Sequence, residues 1–171
     1  MPLLMVVGCH RNDPAPANPA SLLPPATQTG ANSFGCLVNG QPWTPQGNNG
    51  SSNYSVSYDP TFRLGTLNIA AYRYTDSQAK QEVLVVFSDS LLPGPGHYKL
   101  RTLGHHGAGF VNGPVNCTYY STDPTTFCRG SLMLTRLDLQ VGIIAGTFDF
   151  VLAKPGCDTV RITQGRFDKR L

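Results

Sequence analysis

The chain has 171 residues, of which 13% are charged, and 13 Lys and Arg against 10 Asp and Glu leave a formal net charge of +3. Its basic residues, among them Arg63, Arg73, Arg101, Arg129, Arg136, Arg161 and Arg166, are scattered with no basic run, which sets nucleic-acid binding aside, and no stretch reaches the roughly 20 apolar residues of a membrane span. Glutamate occurs once, at Glu82, while 18 Gly and 14 Pro disfavour long exposed helices and suit short strands joined by turns.

Residues 1–8 read as the end of a lipoprotein signal peptide. The apolar run Leu3-Leu4-Met5-Val6-Val7 closes on the small Gly8 and then Cys9. Cleavage before Cys9 would leave it as a lipid-carrying N-terminus and place the protein on the outer membrane. Only eight residues precede Cys9 and none is basic, so an upstream start codon is expected. Residues 9–30 read as a semi-extended tether, because Pro14, Pro16, Pro19, Pro24 and Pro25 are set among Ala, Asn and Ser. The remaining 31–171 suffice for one domain with its own core.

Period-2 patterning between turn markers then predicts strands. Ser33 to Val38 is a short apolar strand stopped by Asn39-Gly40, a two-residue hairpin signal. Gln41-Pro42-Trp43 begins the return, with Pro42 placing it at a sheet edge. After a polar loop over 47–53, Tyr54, Val56 and Tyr58 alternate with serines. Thr66 to Tyr74 reads as a longer strand, and Asp76 to Lys80 as the turn into Glu82 to Phe87, an apolar run expected to be buried on both faces. Leu92-Pro93-Gly94-Pro95-Gly96 breaks the chain and suggests a crossing between sheets. A strand at His97 to Arg101 precedes a glycine-rich loop running through Gly113. Leu132 to Leu139, Ile143 to Leu152 and Asp158 to Phe167 are joined by short turns and should pair as an antiparallel meander. About nine short strands indicate an all-β, antiparallel β-sandwich, with an open β-barrel as the alternative.

With Cys9 lipidated, Cys36, Cys117, Cys128 and Cys157 remain, and an even number in an exported domain reads as two disulfides with three connectivities open. Cys117–Cys128 is favoured because Asp123-Pro124 can fold the segment back, which leaves Cys36–Cys157. A four-cysteine zinc site would want closely spaced ligand pairs, which these positions lack.

Few residues carry a chemical signal. His105 and His106, between Gly104 and Gly107, are the only cluster a metal or an acid–base mechanism could use, and no carboxylate stands near them in sequence. There is no Gly-x-Ser-x-Gly elbow and no phosphate-cradling glycine pattern. Glu82, Asp89, Asp138 and Asp149 read as strand-edge or solvent-facing charges rather than as a glycosidase pair. Trp43, Tyr54, Tyr58, Tyr72, Tyr74, Tyr119 and Tyr120 are the better lead. Trp43, Tyr72 and Tyr74 are singled out as an exposed aromatic row that could stack on sugar rings, against the plainer role of packing half-buried strands.

The stretch from Thr29 to Gly40 (TGANSFGCLVNG) followed by Pro42-Trp43-Thr44-Pro45, with the closing segments Gly146-Thr147-Phe148-Asp149-Phe150 and Ile162-Thr163-Gln164-Gly165-Arg166-Phe167-Asp168, resembles small envelope lipoproteins of Bacteroidota. The resemblance covers both ends of residues 29–168. It implies an all-β envelope lipoprotein, and it brings no catalytic residue and no cofactor. The expected function is therefore a non-catalytic binding module, with carbohydrate or an envelope protein as partner and the membrane reached through the lipid. An envelope hydrolase, or a purely structural protein, is the alternative.

Overall fold

The computed structural model describes residues 18–48, 50–75 and 80–171. Cys9 and His10 lie outside them, so the expected signal peptide and lipidation site fall outside the described residues. Eleven strands follow in chain order: β1 (Ser33–Val38), β2 (Gln41–Trp43), β3 (Tyr54–Asp59), β4 (Thr66–Thr75), β5 (Lys80–Ser88), β6 (Gly96–Arg101), β7 (His106–Asn112), β8 (Cys117–Tyr120), β9 (Phe127–Asp138), β10 (Ile143–Lys154) and β11 (Cys157–Arg170). They form a six-stranded sheet in the order β2-β1-β11-β10-β9-β6 and a five-stranded sheet in the order β3-β4-β5-β7-β8. Every pairing between them is antiparallel. The sheets stack as a β-sandwich and are not closed into a barrel.

Local sequence accounts for much of this. Asn39 and Gly40 both have positive φ, 50° and 81°, the pair of left-handed residues that a tight hairpin turn requires, and Val38 then faces Gln41. β2 lies at the sheet edge, where Pro42 costs no ladder hydrogen bond. β9, β10 and β11 pair in sequence as a meander. The Pro-Gly break between β5 and β6 carries the chain from one sheet to the other.

Strand β7 departs from expectation. The glycine-rich stretch after His106 is an inner strand between β5 and β8, not a loop. Its glycines serve close approach: a Cβ on Gly107 would sit 2.1 Å from Ser121 Oγ and 2.5 Å from the Phe87 ring, and one on Gly109 would sit 2.6 Å from the Tyr120 ring. β5 also differs, since Glu82, Leu84, Val86 and Ser88 are buried on one face while Val83, Val85 and Phe87 on the other are only half-buried.

Between the sheets lie the inward residues of both layers. Phe34 is central, with ring centroids 5.9 Å from Trp43, 5.3 Å from Tyr54 and 5.5 Å from Phe148. Burying each such side chain contributes on the order of 1.5–3 kcal/mol.

Residues 18–30 belong to this fold, which shortens the expected tether of 9–30. Asn18 Oδ1 accepts from the Ala20 N–H at 3.1 Å and caps a 3-10 turn over Pro19–Leu22, after which Leu23 is buried. The Asp168 carboxylate of β11 then takes the Thr27 hydroxyl at 2.6 Å, the Thr29 N–H at 2.9 Å and the Gly30 N–H at 2.8 Å.

The expected disulfides are also corrected. Cys117 pairs with Cys157, joining the start of β8 in one sheet to the start of β11 in the other, while Cys36 and Cys128 are buried free thiols. Cys117–Cys128 fails because the segment between them crosses from sheet to sheet instead of closing a hairpin. Cys36 on β1 and Cys128 on β9 are three strand positions apart, about 14 Å at 4.8 Å per strand. That exceeds the Cα separation of about 7 Å that a disulfide spans. Burial pushes the Cys36 thiol up to about 12 and the Cys128 thiol to about 11.

Candidate functional site

The aromatic row expected from Trp43, Tyr72 and Tyr74 is not a surface. Trp43 is fully buried, its Nε1–H donating to Glu82 Oε2 at 2.9 Å. Arg73 Nε donates to the same carboxylate oxygen, Arg73 Nη1 donates to Pro42 O at 3.4 Å, and the guanidinium stands 5.5 Å from the Trp43 ring centre. Glu82 is thus a buried partner rather than a solvent-facing charge. Tyr72 is buried, its hydroxyl donating to Ser51 O at 2.7 Å, and it meets Tyr74 edge-on with ring centroids 5.5 Å apart. Gln46, Gly47, Ser51 and Asn53 come against this face. Gln46 bridges to Arg73, and Gly47 lies against the Tyr74 ring. These groups hold one end of the sandwich together; Trp43 and Tyr72 are buried and Tyr74 is half-buried, so the three rings form no exposed row.

His105 and His106 do gain a carboxylate, through β5 and β7. Their register sets Ser88 opposite His106, and the Asp89 N–H donates to His105 O at 2.9 Å. His105 Nδ1 lies 2.9 Å from both Asp89 Oδ1 and Ser90 Oγ, and Ser90 Oγ donates to Asp89 Oδ1 at 2.9 Å. A nucleophilic triad needs acid and serine on opposite ring nitrogens; here both crowd Nδ1, so the serine is not activated. Ser88 Oγ donates to Ser90 O at 2.7 Å, so the 3.0 Å contact with His106 Nδ1 has the imidazole as donor. Burial, then the charge of His105, lowers the His106 pKa against the pull of Asp89. Burial raises Asp89, but hydrogen bonds from His105 and Ser90, with the charges of His105 and Arg63, hold it below the usual carboxylate range. Among the described residues, no three His, Cys, Asp or Glu side chains gather as a metal site would require. The cluster locks two loops. The sequence signal for it was Ser88-Asp89-Ser90 at the end of an apolar strand, but only strand register shows which loop faces it.

The carboxylates weighed for glycoside hydrolysis have partners of their own. Asp138 bonds Arg136 at 2.9 Å, and Asp149 accepts from Ser131 Oγ at 2.8 Å.

The outer face of the six-stranded sheet is different. Directly opposed residues of antiparallel neighbours share a face. Arg101 pairs with Arg129, Arg129 with Val151, and Val151 with Arg161, so three arginines stand in one row across four strands. A second row runs Lys99, Ser131, Asp149 and a third His97, Met133, Thr147, Arg166. Shallow depressions tile this face. One of about 590 Å³ is lined by Phe127, Arg129, Gly130, Ser131, Asp149, Val151 and Arg161. One of about 270 Å³ shares Arg129 and Gly130 with it, and a third of about 320 Å³ shares His97, Lys99 and Arg101 with the second and reaches His105 and His106. Together they make a continuous band that carries Lys99, Arg101, Arg129 and Arg161. Sequence reading missed it because its residues come from four strands far apart in the chain.

Comparison with protein-family models, with curated proteins and with solved structures gave no match.

Proposed function

We propose that this chain is a lipid-anchored cell-envelope protein whose domain is a non-catalytic binding module, taking carbohydrate on the outer face of the six-stranded sheet. One observation carries the reading: the broad, shallow band running from His105 past Arg101 and Arg129 to Arg161, where cationic and hydroxyl groups stand beside the exposed Phe127 ring. Shallow faces rich in hydrogen-bonding groups suit an extended, hydrated polymer better than an enclosed small ligand. The Ser131 hydroxyl, the Asp149 carboxylate and the flanking guanidinium groups can exchange water for sugar hydroxyls at little cost. The anchor is supported by Gly8-Cys9. Asn18, the first described residue, lies nine positions after Cys9, a length of chain that reaches at most about 30 Å.

The test has two readouts. Intact mass of envelope-purified protein should show lipid on Cys9, and a glycan array of neutral and acidic polymers should show binding. Ser131→Leu, which replaces a hydroxyl by a branched apolar side chain in the depression of about 590 Å³, should weaken that binding strongly while Trp43→Phe leaves it. A glycan-silent protein, or binding indifferent to Ser131→Leu, overturns the reading.

A further inference from the structure

We propose that this band selects an acidic polysaccharide, one bearing carboxylate or sulfate groups on some of its sugar units. The inference rests on the binding-module reading above and specifies its ligand. It begins with charge that has no answer within the fold. Arg63 is paired with Asp89, Arg73 with Glu82, Arg136 with Asp138 and Lys154 with Asp123. Lys99, Arg101, Arg129 and Arg161 form no ion pair among the described residues, yet the sheet sets them on one face. At about 4.8 Å per strand, Arg101 and Arg129 emerge side by side and Arg161 about 10 Å beyond Arg129. Cations gathered this way repel one another, and a bound anion relieves that repulsion. Their spread across strands suits charges repeated along an extended polymer.

Asp149 distinguishes the polymer class. It sits within the band in the Lys99 row, beside Ser131, and lines one depression with Arg129 and Arg161. A nucleic-acid strand carries a phosphate about every 3.4 Å, and this carboxylate would oppose so dense a line of charge. A polysaccharide can present a hydroxyl to Asp149 and its acid groups to the arginines. Ser131, Thr147 and Thr163 extend the supply of sugar-compatible hydroxyls along β9, β10 and β11. Single-stranded nucleic acid also wants aromatic stacking platforms. On this face Phe127 is the one exposed ring among the described residues.

The experiment measures affinity of the whole protein for polygalacturonate, dextran sulfate, neutral dextran and an oligothymidylate, each at low and raised salt. Polygalacturonate or dextran sulfate should bind far better than neutral dextran, and raising salt should weaken that binding. The triple variant R101Q/R129Q/R161Q should lose roughly tenfold or more in affinity. Arg136→Gln, remote from the band, should lose nothing. Equal affinity for neutral dextran overturns the acidic assignment while leaving the binding module standing. Acidic-polymer binding unchanged in the triple variant overturns the placement on this face. Tighter binding to oligothymidylate than to polygalacturonate overturns the carbohydrate class. Failure to bind any of the polymers removes the underlying reading along with the inference.

Discussion

The indole of Trp43 and the carboxylate of Glu82 meet at 2.9 Å inside the sandwich, and Arg73 closes the arrangement by bonding the same oxygen of Glu82 and covering the ring. An edge strand, a central strand and their neighbour are thereby fastened at one point. Removing one partner of a buried pair strands the other charge, at a cost of about 3–5 kcal/mol. Glu82→Ala should therefore cost that much in urea unfolding. Trp43→Phe keeps most of the ring volume and should cost far less. Equal and small losses for both variants would show that the network carries little of the stability.

The disulfide gives a second expectation. Cys117 and Cys157 are separated by 40 residues, and closing a loop of that length stabilises by about 4 kcal/mol in the chain-entropy account. The C117S/C157S variant should lose about that amount. Cys36 and Cys128 should stay unmodified by a thiol reagent in the folded protein, since burial raises both thiols far above neutral pH. Rapid labelling of two thiols in the native state would contradict the burial.

Asp168 makes the 18–30 segment sensitive to acid. Burial pushes its carboxyl up, but the Thr27 hydroxyl and the N–H groups of Thr29, Ala31 and Gly30 outweigh burial and hold it below the usual carboxylate range. A depressed folded pKa means that the carboxylate contributes stability above the unfolded pKa and loses it as pH falls through the folded one. Asp168→Asn should cost about 2–3 kcal/mol near neutral pH, where charged hydrogen bonds are lost, and should flatten the acid limb of stability against pH. An acid limb of unchanged steepness in the variant would move the titration to other groups.

Three exposed leucines are held in a left-handed backbone: Leu64 at φ 64°, Leu91 at φ 59° and Leu103 at φ 53°, with 70%, 47% and 65% of their surface open to water. All three lie at the same end of the five-stranded sheet, in the loops that follow β3, β5 and β6. A left-handed conformation costs a leucine about 1–2 kcal/mol, and such exposure offers little burial to offset it. Asparagine tolerates that region better, so Leu64→Asn, Leu91→Asn and Leu103→Asn should each stabilise by about 0.5–1 kcal/mol. Thermal unfolding of each variant checks this; a lowered Tm would mean that the leucine makes a contact worth more than the strain.

The acidic-polymer proposal carries its own internal control. Asp149→Asn removes the carboxylate from the band and leaves a hydrogen-bonding group of the same shape. It should tighten polygalacturonate binding and make an oligothymidylate a better ligand than it is for the wild type. Weaker polygalacturonate binding would show that Asp149 holds a sugar hydroxyl strongly enough to outweigh its repulsion.

How much of this was legible from the chain depends on distance along it. Hairpins and the meander were readable because Asn39-Gly40 and the short turns after Asp138 and Lys154 act on neighbours, and period-2 alternation alone marks a half-buried strand. β7 was not readable. Gly107 and Gly109 look like loop residues until Ser121, Phe87 and Tyr120 are seen pressing on them. Trp43, Tyr72 and Tyr74 sit on strands whose patterning was read correctly, yet their exposure depended on partners elsewhere: Glu82 for the tryptophan, Ser51 for Tyr72 and Gly47 for Tyr74.

The amino-acid order by itself determined the all-β class, the sheet crossing at the Pro-Gly break and the placement of Pro42 at an edge, because each is a local consequence of backbone sterics and alternation. Only the tertiary structure decided which cysteines could meet, which carboxylate reached His105, and that arginines scattered over 60 residues of chain, from Arg101 to Arg161, stand in one row. These are facts of strand register and sheet order. They follow from how distant segments share one core, a global packing choice that no short window of sequence encodes.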